Sequence, residues 1–476
     1  MQNSKLIRLL QAFTKSEILA LRKYVRGSVA GTRKKTHLLL EVILDKDITK
    51  IHQKNLIFER IFGADEVYDD LLLRRVMSEL NVEIQNFIVQ QALNADILRQ
   101  KSYLIAFYNE RGFADDAENA LQDADKHIKT TADTGDILYF YNKLYLEEMR
   151  LQYQQLSDSR NFDLETMNDT LNTVLIAGKL RHHIKTFLNN RLYKNDFPLA
   201  LLQEILAFVE ESEELYAVPI VAIYYHAYQM LYLESREHYE KYRALLAKYI
   251  TIFPPDERAD LYAFAENFWA FSVQKNKASY TDFWELYREG FEKSYIFQND
   301  GSLSVLRLQN AMTVAIRAGQ TEWALQTLHT FRDRLDTADQ EEVYSFNLAT
   351  IHFQEKRYET VKSLLQSTNY TNTIYRLAAS RLQIKLYYEE NKKRTLQTAL
   401  NSFERYLMTT KRKIETDNKA TNLAFTRALR RLIDLSYYDR RTRAAGLEKL
   451  VADMSGERLM AERPWLLIQI ETMKKH

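Results

Sequence analysis

The stretch Asn347–Leu365, NLATIHFQEKRYETVKSLL, carries the pattern that decides the fold. Its spacing of apolar and small residues predicts a helix, a tight turn at Lys356-Arg357 and a second helix. An upstream stretch, Asn310–Phe331 (NAMTVAIRAGQTEWALQTLHTF), repeats the pattern with glycine in the turn. Residues at successive gaps of four, five, four and three mark the copy: Ala315, Gly319, Ala324, Leu328 and Phe331.

The same gaps recur downstream of this copy. They are kept by two further sets: His352, Lys356, Val361 and Leu365, then Asn391, Leu396, Leu400 and Phe403. A helical hairpin this short cannot bury its own apolar face, so successive copies must stack and share a core. The pattern therefore predicts an all-α protein built from antiparallel helix pairs.

This spacing resembles that of the tetratricopeptide repeat. A stretch far upstream, FYNERGFADDAENALQDA, keeps every interval of that repeat with Tyr108, Gly112, Ala117, Leu121 and Ala124. The sequence departs from the family where Lys356 and Asn391 replace the turn glycine. The resemblance implies a right-handed superhelix of helix pairs, a TPR-like α-solenoid.

Both ends of the chain also resemble a group of uncharacterised bacterial helical proteins. The residues that carry this likeness are Phe13–Glu17, Leu73-Arg74 with Met77–Leu80 after Phe62-Gly63, and Glu462–Leu466. The resemblance implies helical ends and brings no known activity with it.

Composition agrees with helices. The 476 residues include 11 Gly, 5 Pro and no Cys, but 30 Tyr and 23 Phe. A sheet protein would need more turn residues. Absence of cysteine excludes disulfides and suits a reducing compartment. Lys5 and Arg8 place charges near the N-terminus before any apolar run develops, which argues against a secretory signal. The most apolar segment, Val218–Leu233, is too short to span a bilayer, so we expect a cytoplasmic protein without a membrane segment.

Changes in pattern along the chain predict three parts. Residues 1–92 form an N-terminal helical domain, in which Thr14 and Glu17 have the spacing of a capping box. Residues 93–410 form the solenoid, and residues 411–476 form a helical cap that begins with the basic link Lys411–Lys413 and ends in a helix started by Pro464.

The sequence contains no catalytic signature. It has no phosphate-binding glycine loop, HExxH or Gly-x-Ser-x-Gly motif, so we expect no enzyme activity, no catalytic residue and no cofactor. The adjacent His182 and His183 point apart on a helix and cannot easily share a metal ion. His226 and His238 could converge, but their tyrosine-rich surroundings suit ordinary core histidines, so no metal site is predicted.

The predicted binding surface lies on the first helices of the three clear repeats. Asparagine amides flanked by Arg and Lys can hold a carboxylate by charge-assisted hydrogen bonds. The alternative is that the asparagines bond backbone and the cations are solvated. If the helices stack as in the resembling family, the inner surface would carry Asn310, Thr313, Arg317, Asn347, Thr350, Gln354, Arg381 and Lys385.

These features predict a non-enzymatic scaffold that binds a peptide or protein partner in the concave groove. The alternative is a nucleic-acid-linked regulator. Its candidate helix-turn-helix module is the basic N-terminus with Arg22, Lys23, Arg26, Lys34-Lys35 and Arg74-Arg75. The net charge of +2 gives no global pull toward nucleic acid.

Overall fold

The computed structural model describes residues 4–27, 33–44, 54–130, 135–156, 163–193, 195–275, 278–335, 340–409, 416–456 and 460–475. These residues form twenty-four α-helices and two short 3-10 turns, and none of them is in a β-strand. The predicted all-α class is confirmed.

The chain folds as two compact units. One comprises Met1–Arg181 with Glu210–Val221, and the other His182–Val209 with Ala222–His476. The first eight helices belong to the first unit: α1 Lys5–Ala12, α2 Lys15–Gly27, α3 Arg33–Leu44, α4 Lys54–Phe62, α5 Asp70–Ala95, α6 Ile97–Arg111, α7 Ala114–Thr130 and α8 Ile137–Leu156.

Four helices follow in the stretch where the chain alternates between the units: α9 Leu164–Tyr193, α10 Leu202–Glu211, α11 Glu213–Ala217 and α12 Pro219–Tyr232. The remaining helices belong to the second unit. Six of these are α13 Arg236–Tyr249, α14 Pro255–Gln274, α15 Tyr280–Glu292, α16 Val305–Arg317, α17 Thr321–Thr330 and α18 Gln340–Gln354. The last six are α19 Tyr358–Ser367, α20 Thr373–Glu389, α21 Lys393–Thr409, α22 Thr416–Leu435, α23 Arg440–Gly456 and α24 Arg463–Lys475.

In the first unit, a hydrophobic cluster from Leu6 to Phe87 joins α1–α5. The capping box predicted at the start of α2 is present. Thr14 N donates to Glu17 Oε2 at 2.7 Å, and Glu17 N donates to Thr14 Oγ1 at 3.3 Å. A second cluster joins α6, α7 and α8. Ala117 and Ala124 of α7 are fully buried, and α6 and α7 pack together.

In the second unit, consecutive helices pair as the repeated spacing predicts. Contacts join α16 with α17, α18 with α19, and α20 with α21. The first helices also contact one another in order, α16 with α18 and α18 with α20. A hydrophobic cluster from Leu377 to Ile470 joins α20 and α21 to α22–α24, so the C-terminal helices share the core of the last pair. No described helix of either unit has the length and apolarity needed to cross a bilayer.

The predicted three-part division of the chain stays a prediction. Its first boundary, after residue 92, falls inside α5, which continues to Ala95. Its second boundary and the basic link Lys411–Lys413 lie outside the described residues.

The turns of four helix pairs (α6 with α7, α16 with α17, α18 with α19, and α20 with α21) have the same left-handed conformation, whichever residue occupies the turn position. The φ angle is 75° at Gly112, 76° at Gly319, 59° at Lys356 and 56° at Asn391. In each case the next residue's N–H donates to the carbonyl five residues back: that of Tyr108, Ala315, His352 or Tyr387, at 2.8–3.0 Å. This is the Schellman arrangement that ends many helices. The repeated turn thus explains why the sequence gaps are constant although the turn residue changes.

Because L side chains are strained in this conformation, Lys356→Gly should raise the free energy of unfolding of the second unit by about 0.5 to 1 kcal/mol. The reverse change, Gly319→Ala, should lower it by about 1 kcal/mol, since nothing lies within 4 Å of the added Cβ and only backbone strain acts. Urea unfolding followed by tryptophan fluorescence measures both, because all four Trp lie in this unit, at positions 269, 284, 323 and 465. A less stable Lys356→Gly variant would contradict the explanation.

Candidate functional site

The second unit contains a cavity of about 2030 Å³. Its walls are formed by side chains of α14, α15, α16, α18, α20 and α24 and the turns at Lys356 and Asn391, with further side chains from α19, α21 and α22. The first helices of the three repeats therefore face this cavity, and the C-terminal helix α24 forms part of the wall.

Five of the eight predicted groove residues line the cavity: Asn310, Thr313, Arg317, Gln354 and Lys385. The three on α16 and Gln354 are exposed. Arg317 contacts Tyr280 of α15, both as a hydrogen-bond donor to its hydroxyl and over its ring at 5.2 Å. This part of the predicted surface is available to a ligand.

Asn347 has a structural role. It is 2% exposed, and its Nδ2 donates to the backbone oxygen of Val343 at 2.8 Å. Thr350 Oγ1 likewise donates to Phe346 O at 2.9 Å. Neither residue lines the cavity. For Asn347 the structure therefore shows the alternative stated above, a hydrogen bond to the backbone instead of an amide facing a ligand.

Arg381 and Lys385, the predicted carboxylate-binding cations, already hold a carboxylate from the same chain. Arg381 Nε donates to Glu462 Oε1 at 3.1 Å, and Lys385 Nζ donates to Glu462 Oε2 at 2.7 Å. Arg381 also donates to Asn422 Oδ1 at 2.8 Å. Here the carboxylate belongs to the chain itself and fixes the segment that starts α24. Binding of a partner's carboxylate by this pair stays a prediction.

The electrostatics of this triad are strong. Burial by itself raises the pKa of Glu462, but Lys385 and Arg381 outweigh it and lower that pKa to about 2. Glu462 also has a φ of 55°, a conformation rarely adopted by residues other than glycine. A paired carboxylate in a strained backbone position indicates that the surrounding packing holds this segment firmly.

Next to the triad, Glu389 of α20 bridges two other helices. It accepts a hydrogen bond from Trp465 Nε1 at 2.7 Å and another from Tyr358 OH at 2.6 Å. Trp465 packs edge-on against Tyr388, with ring centroids 5.3 Å apart. Burial and the Glu389 carboxylate raise the pKa of Tyr358, so its hydroxyl stays a donor at neutral pH.

A third lining carboxylate, Glu266 of α14, is deeply buried on another wall of the cavity. Its Oε1 lies 3.0 Å from Arg307 Nε. Arg307 also donates to the backbone oxygens of Ile296 at 3.0 Å and Ala259 at 2.7 Å. Burial raises the pKa of Glu266, although Arg307 opposes the shift. This pair ties α16 to α14.

The two histidines that could converge do so. His226 Nδ1 and His238 Nδ1 lie 2.9 Å apart, and His226 is buried. Burial, then His238 and Lys241, lower the pKa of His226 to about 4. His182 is exposed and His183 is buried, as expected for neighbours that point apart. Within the described residues, no group of three or more His, Cys, Asp or Glu side chains could hold a metal ion.

The buried His226 makes stability depend on pH in a defined window. The unfolded chain takes up a proton near pH 6.5, whereas folded His226 stays neutral down to about pH 4, so stability is complete above the first value and falls toward the second. Between pH 7 and pH 5 the loss should be about 2 kcal/mol. Urea unfolding at several pH values measures this loss. The free energy of unfolding should fall less between pH 7 and pH 5 in His226→Gln than in the original protein, and equally in the exposed control His182→Gln. Parallel profiles for all three proteins would refute the prediction.

The basic residues of the N-terminal module are on the first unit. Arg74 pairs with Asp70 at 2.7 Å, Arg75 with Glu79 at 3.2 Å and Arg22 with Glu41 at 3.3 Å. Lys35 lies 4.3 Å from the centre of the Phe62 ring, and Lys23, Arg26 and Lys34 are exposed. The carboxylate partners lower the net charge that this surface could offer to a phosphate backbone.

Sequence reasoning missed Glu462, Trp465 and Glu389 as residues of the cavity wall. Glu462–Leu466 stood out only as a terminal motif, and its partners on α20 lie 77 and 81 residues away along the chain. Local spacing cannot show such a contact. The sequence contains one signal for this contact. Arg381 and Lys385 lie one helical turn apart on α20, so both can face a single carboxylate such as that of Glu462.

No family model matches this chain, and neither the curated proteins nor the solved structures include a match to it. Function must therefore be inferred from the residues themselves.

Proposed function

We propose that this protein is a non-enzymatic scaffold that binds a peptide or protein partner in the cavity of its second unit. In this proposal the helix pairs continue as a right-handed, TPR-like α-solenoid whose first helices supply the binding surface. The observation that supports it most is that exposed polar side chains from successive first helices, Asn310, Thr313, Arg317 and Gln354, line one cavity of about 2030 Å³. The absence of cysteine fits the cytoplasmic location that is part of the proposal.

The size and lining of the cavity suit a peptide segment of a partner protein. The volume exceeds the usual range of a small-molecule pocket, roughly 300 to 1000 Å³. Aromatic side chains such as Tyr280 and Tyr388 lie among amides and cations. Such mixed surfaces bind extended or helical segments through a few apolar anchors and polar contacts at their edges.

Selection from phage-displayed random 12-residue peptides tests the binding function. The protein should enrich peptides, and Thr313→Trp, which fills the cavity from α16, should abolish their binding. Gln397→Trp adds the same side chain at an exposed position of α21 that does not line the cavity, so it should leave binding unchanged. Failure to enrich any peptide, or equal binding to Thr313→Trp, would overturn the proposal.

The stacked arrangement has its own test. Neighbouring helices pack roughly 8 to 10 Å apart, so three helices side by side place the outer two about twice that far apart. Spin labels attached to Gly319→Cys and Asn391→Cys should therefore be about twice as far apart as labels at positions 319 and 356. Absence of native cysteine makes each label unique. Equal separations would contradict stacking in order.

The nucleic-acid alternative stays a prediction from the sequence. The pairing of Arg74, Arg75 and Arg22 with neighbouring carboxylates does not favour it.

A further inference from the structure

Among the residues that the structure describes, three cations of the cavity wall have no acidic partner. Within the part of the chain that the structure describes, Arg317, Lys356 and Lys393 have no carboxylate oxygen within 4.0 Å, the limit for an ion pair. Arg317 contacts Tyr280, and Lys393 lies 4.8 Å from the centre of the Tyr437 ring. Ring contacts leave the positive charge uncompensated, so each of the three can still accept an anion.

These cations occupy related places in successive hairpins. Arg317 is two residues before the left-handed turn residue Gly319, Lys356 is itself the turn residue, and Lys393 is two residues after the turn residue Asn391. The three helices α16, α18 and α20 contact one another in order, and all three cations line the same cavity. We call Arg317, Lys356 and Lys393 the cationic rim.

The acids of the cavity wall do not oppose an incoming anion strongly. Glu266 is paired with Arg307, and Glu462 with Lys385 and Arg381. Glu389 accepts hydrogen bonds from Trp465 and Tyr358. Cations neutralise Glu266 and Glu462, whereas Glu389 keeps its charge because both of its donors are neutral. The three cations Arg317, Lys356 and Lys393 therefore outnumber this one remaining negative charge.

The cavity also has an apolar side. Leu467 and Ile468 of α24 line it, and the Ile468 side chain is 61% exposed, which is unusual for isoleucine. An apolar residue of a partner would bury this surface.

We propose that the cavity takes an acidic peptide segment, whose carboxylates pair with the cationic rim while an apolar side chain packs on Leu467 and Ile468. This inference rests on the proposed function, because it names the chemistry of the partner for the same cavity. Glu462 shows within the chain how this wall binds such a group: its carboxylate lies between two cations, and three residues further on Trp465 packs on Tyr388.

A nucleic acid fits the rim less well than an acidic peptide. A protein that binds nucleic acid strongly through its backbone can neutralise about 6 to 10 phosphates, and the cationic rim supplies three charges. Three spaced charges match a segment with a few Asp or Glu residues.

Peptide composition and charge removal test the inference together. Among the 12-residue peptides that the protein enriches, Asp and Glu should exceed their share in the starting library. Fluorescence anisotropy with the most enriched peptide should give a dissociation constant about tenfold larger for the triple variant Arg317→Gln, Lys356→Gln and Lys393→Gln. The control Lys248→Gln, Arg405→Gln and Lys449→Gln removes three exposed cations that do not line the cavity, and should bind like the original protein.

Each failure has a different signature. If peptides bind and Thr313→Trp blocks them, but they are not acidic or bind the triple variant equally well, the acidic partner is refuted while the scaffold survives. If no peptide binds, both fail. A 12-nucleotide single strand that displaces the peptide, and whose own binding is lost in the triple variant, would replace the acidic peptide with a nucleic acid and overturn the inference. Circular dichroism establishes that each variant is folded.

Discussion

Glu462→Gln is expected to lower the free energy of unfolding of the second unit by about 3 kcal/mol. The change leaves Arg381 and Lys385 mostly buried without their carboxylate, and loss of one partner of a buried ion pair typically costs about 3 to 5 kcal/mol. The pKa of Glu462 gives a similar size, since a folded value of about 2 against an ordinary 4.5 corresponds to about 3 kcal/mol at neutral pH. Urea unfolding followed by tryptophan fluorescence measures the loss.

A matched control lies on α24, the helix that follows Glu462 directly. Glu471 pairs with Lys474 at 2.6 Å, but both side chains are solvent-exposed, so Glu471→Gln should cost less than about 0.5 kcal/mol. The pH dependence adds a second check. Because the pKa of Glu462 is lowered, its contribution is present above about pH 4.5 and disappears as the pH falls toward 2, so Glu462→Gln and the original protein should converge in acid. A deficit of similar size at every pH would show that the charge is not the cause.

The hairpins were predictable from sequence because their determinants are local. The gaps between Ala315, Gly319 and Ala324 fix a helix end, a left-handed turn and a helix contact within ten residues. Lys356 and Asn391 occupy the turn position where the other hairpins have glycine, yet the unchanged spacing around them still predicts the turn. A helix pair that is encoded within about 30 residues needs no knowledge of the rest of the chain.

The cavity wall was less predictable because its ion pairs are long-range. The sequence led us to expect Arg381 and Lys385 to bind a partner's carboxylate, but it could not show that Glu462 of the same chain contacts both. Asn347 does not line the cavity, for a different reason. A shift of one position along a helix is enough to turn an asparagine side chain from the surface into the core. Helical spacing determines a face to within about 100° per residue, and that is too coarse to separate these cases.

The second large effect concerns the other wall of the cavity. Arg307→Met should lower the free energy of unfolding of the second unit by about 3 to 5 kcal/mol, because it removes the charge partner of buried Glu266 and the donor to Ala259 O and Ile296 O. Methionine keeps the apolar length of the side chain, so little of the loss comes from a cavity. The same fluorescence-monitored urea unfolding applies. A control on a neighbouring helix, Arg288→Met, breaks an exposed pair with Glu292 and should cost under about 0.5 kcal/mol.

Protonation of the two buried carboxylates should change stability in opposite directions: protonation of Glu266 stabilises the second unit, whereas protonation of Glu462 destabilises it. Burial already raises the pKa of Glu266, and without Arg307 the pKa should rise further, since Arg307 opposes the shift more strongly than the other opposing group, the Tyr287 hydroxyl. A folded pKa above the unfolded value means that stability falls as the pH increases from about 4.5 through the folded value. The deficit of Arg307→Met should thus shrink in mild acid, where protonated Glu266 no longer needs a cation, whereas the deficit of Glu462→Gln should stay large until much lower pH. If both deficits shrank over the same pH range, ion pairing with these particular carboxylates would not explain how the walls of the cavity are held.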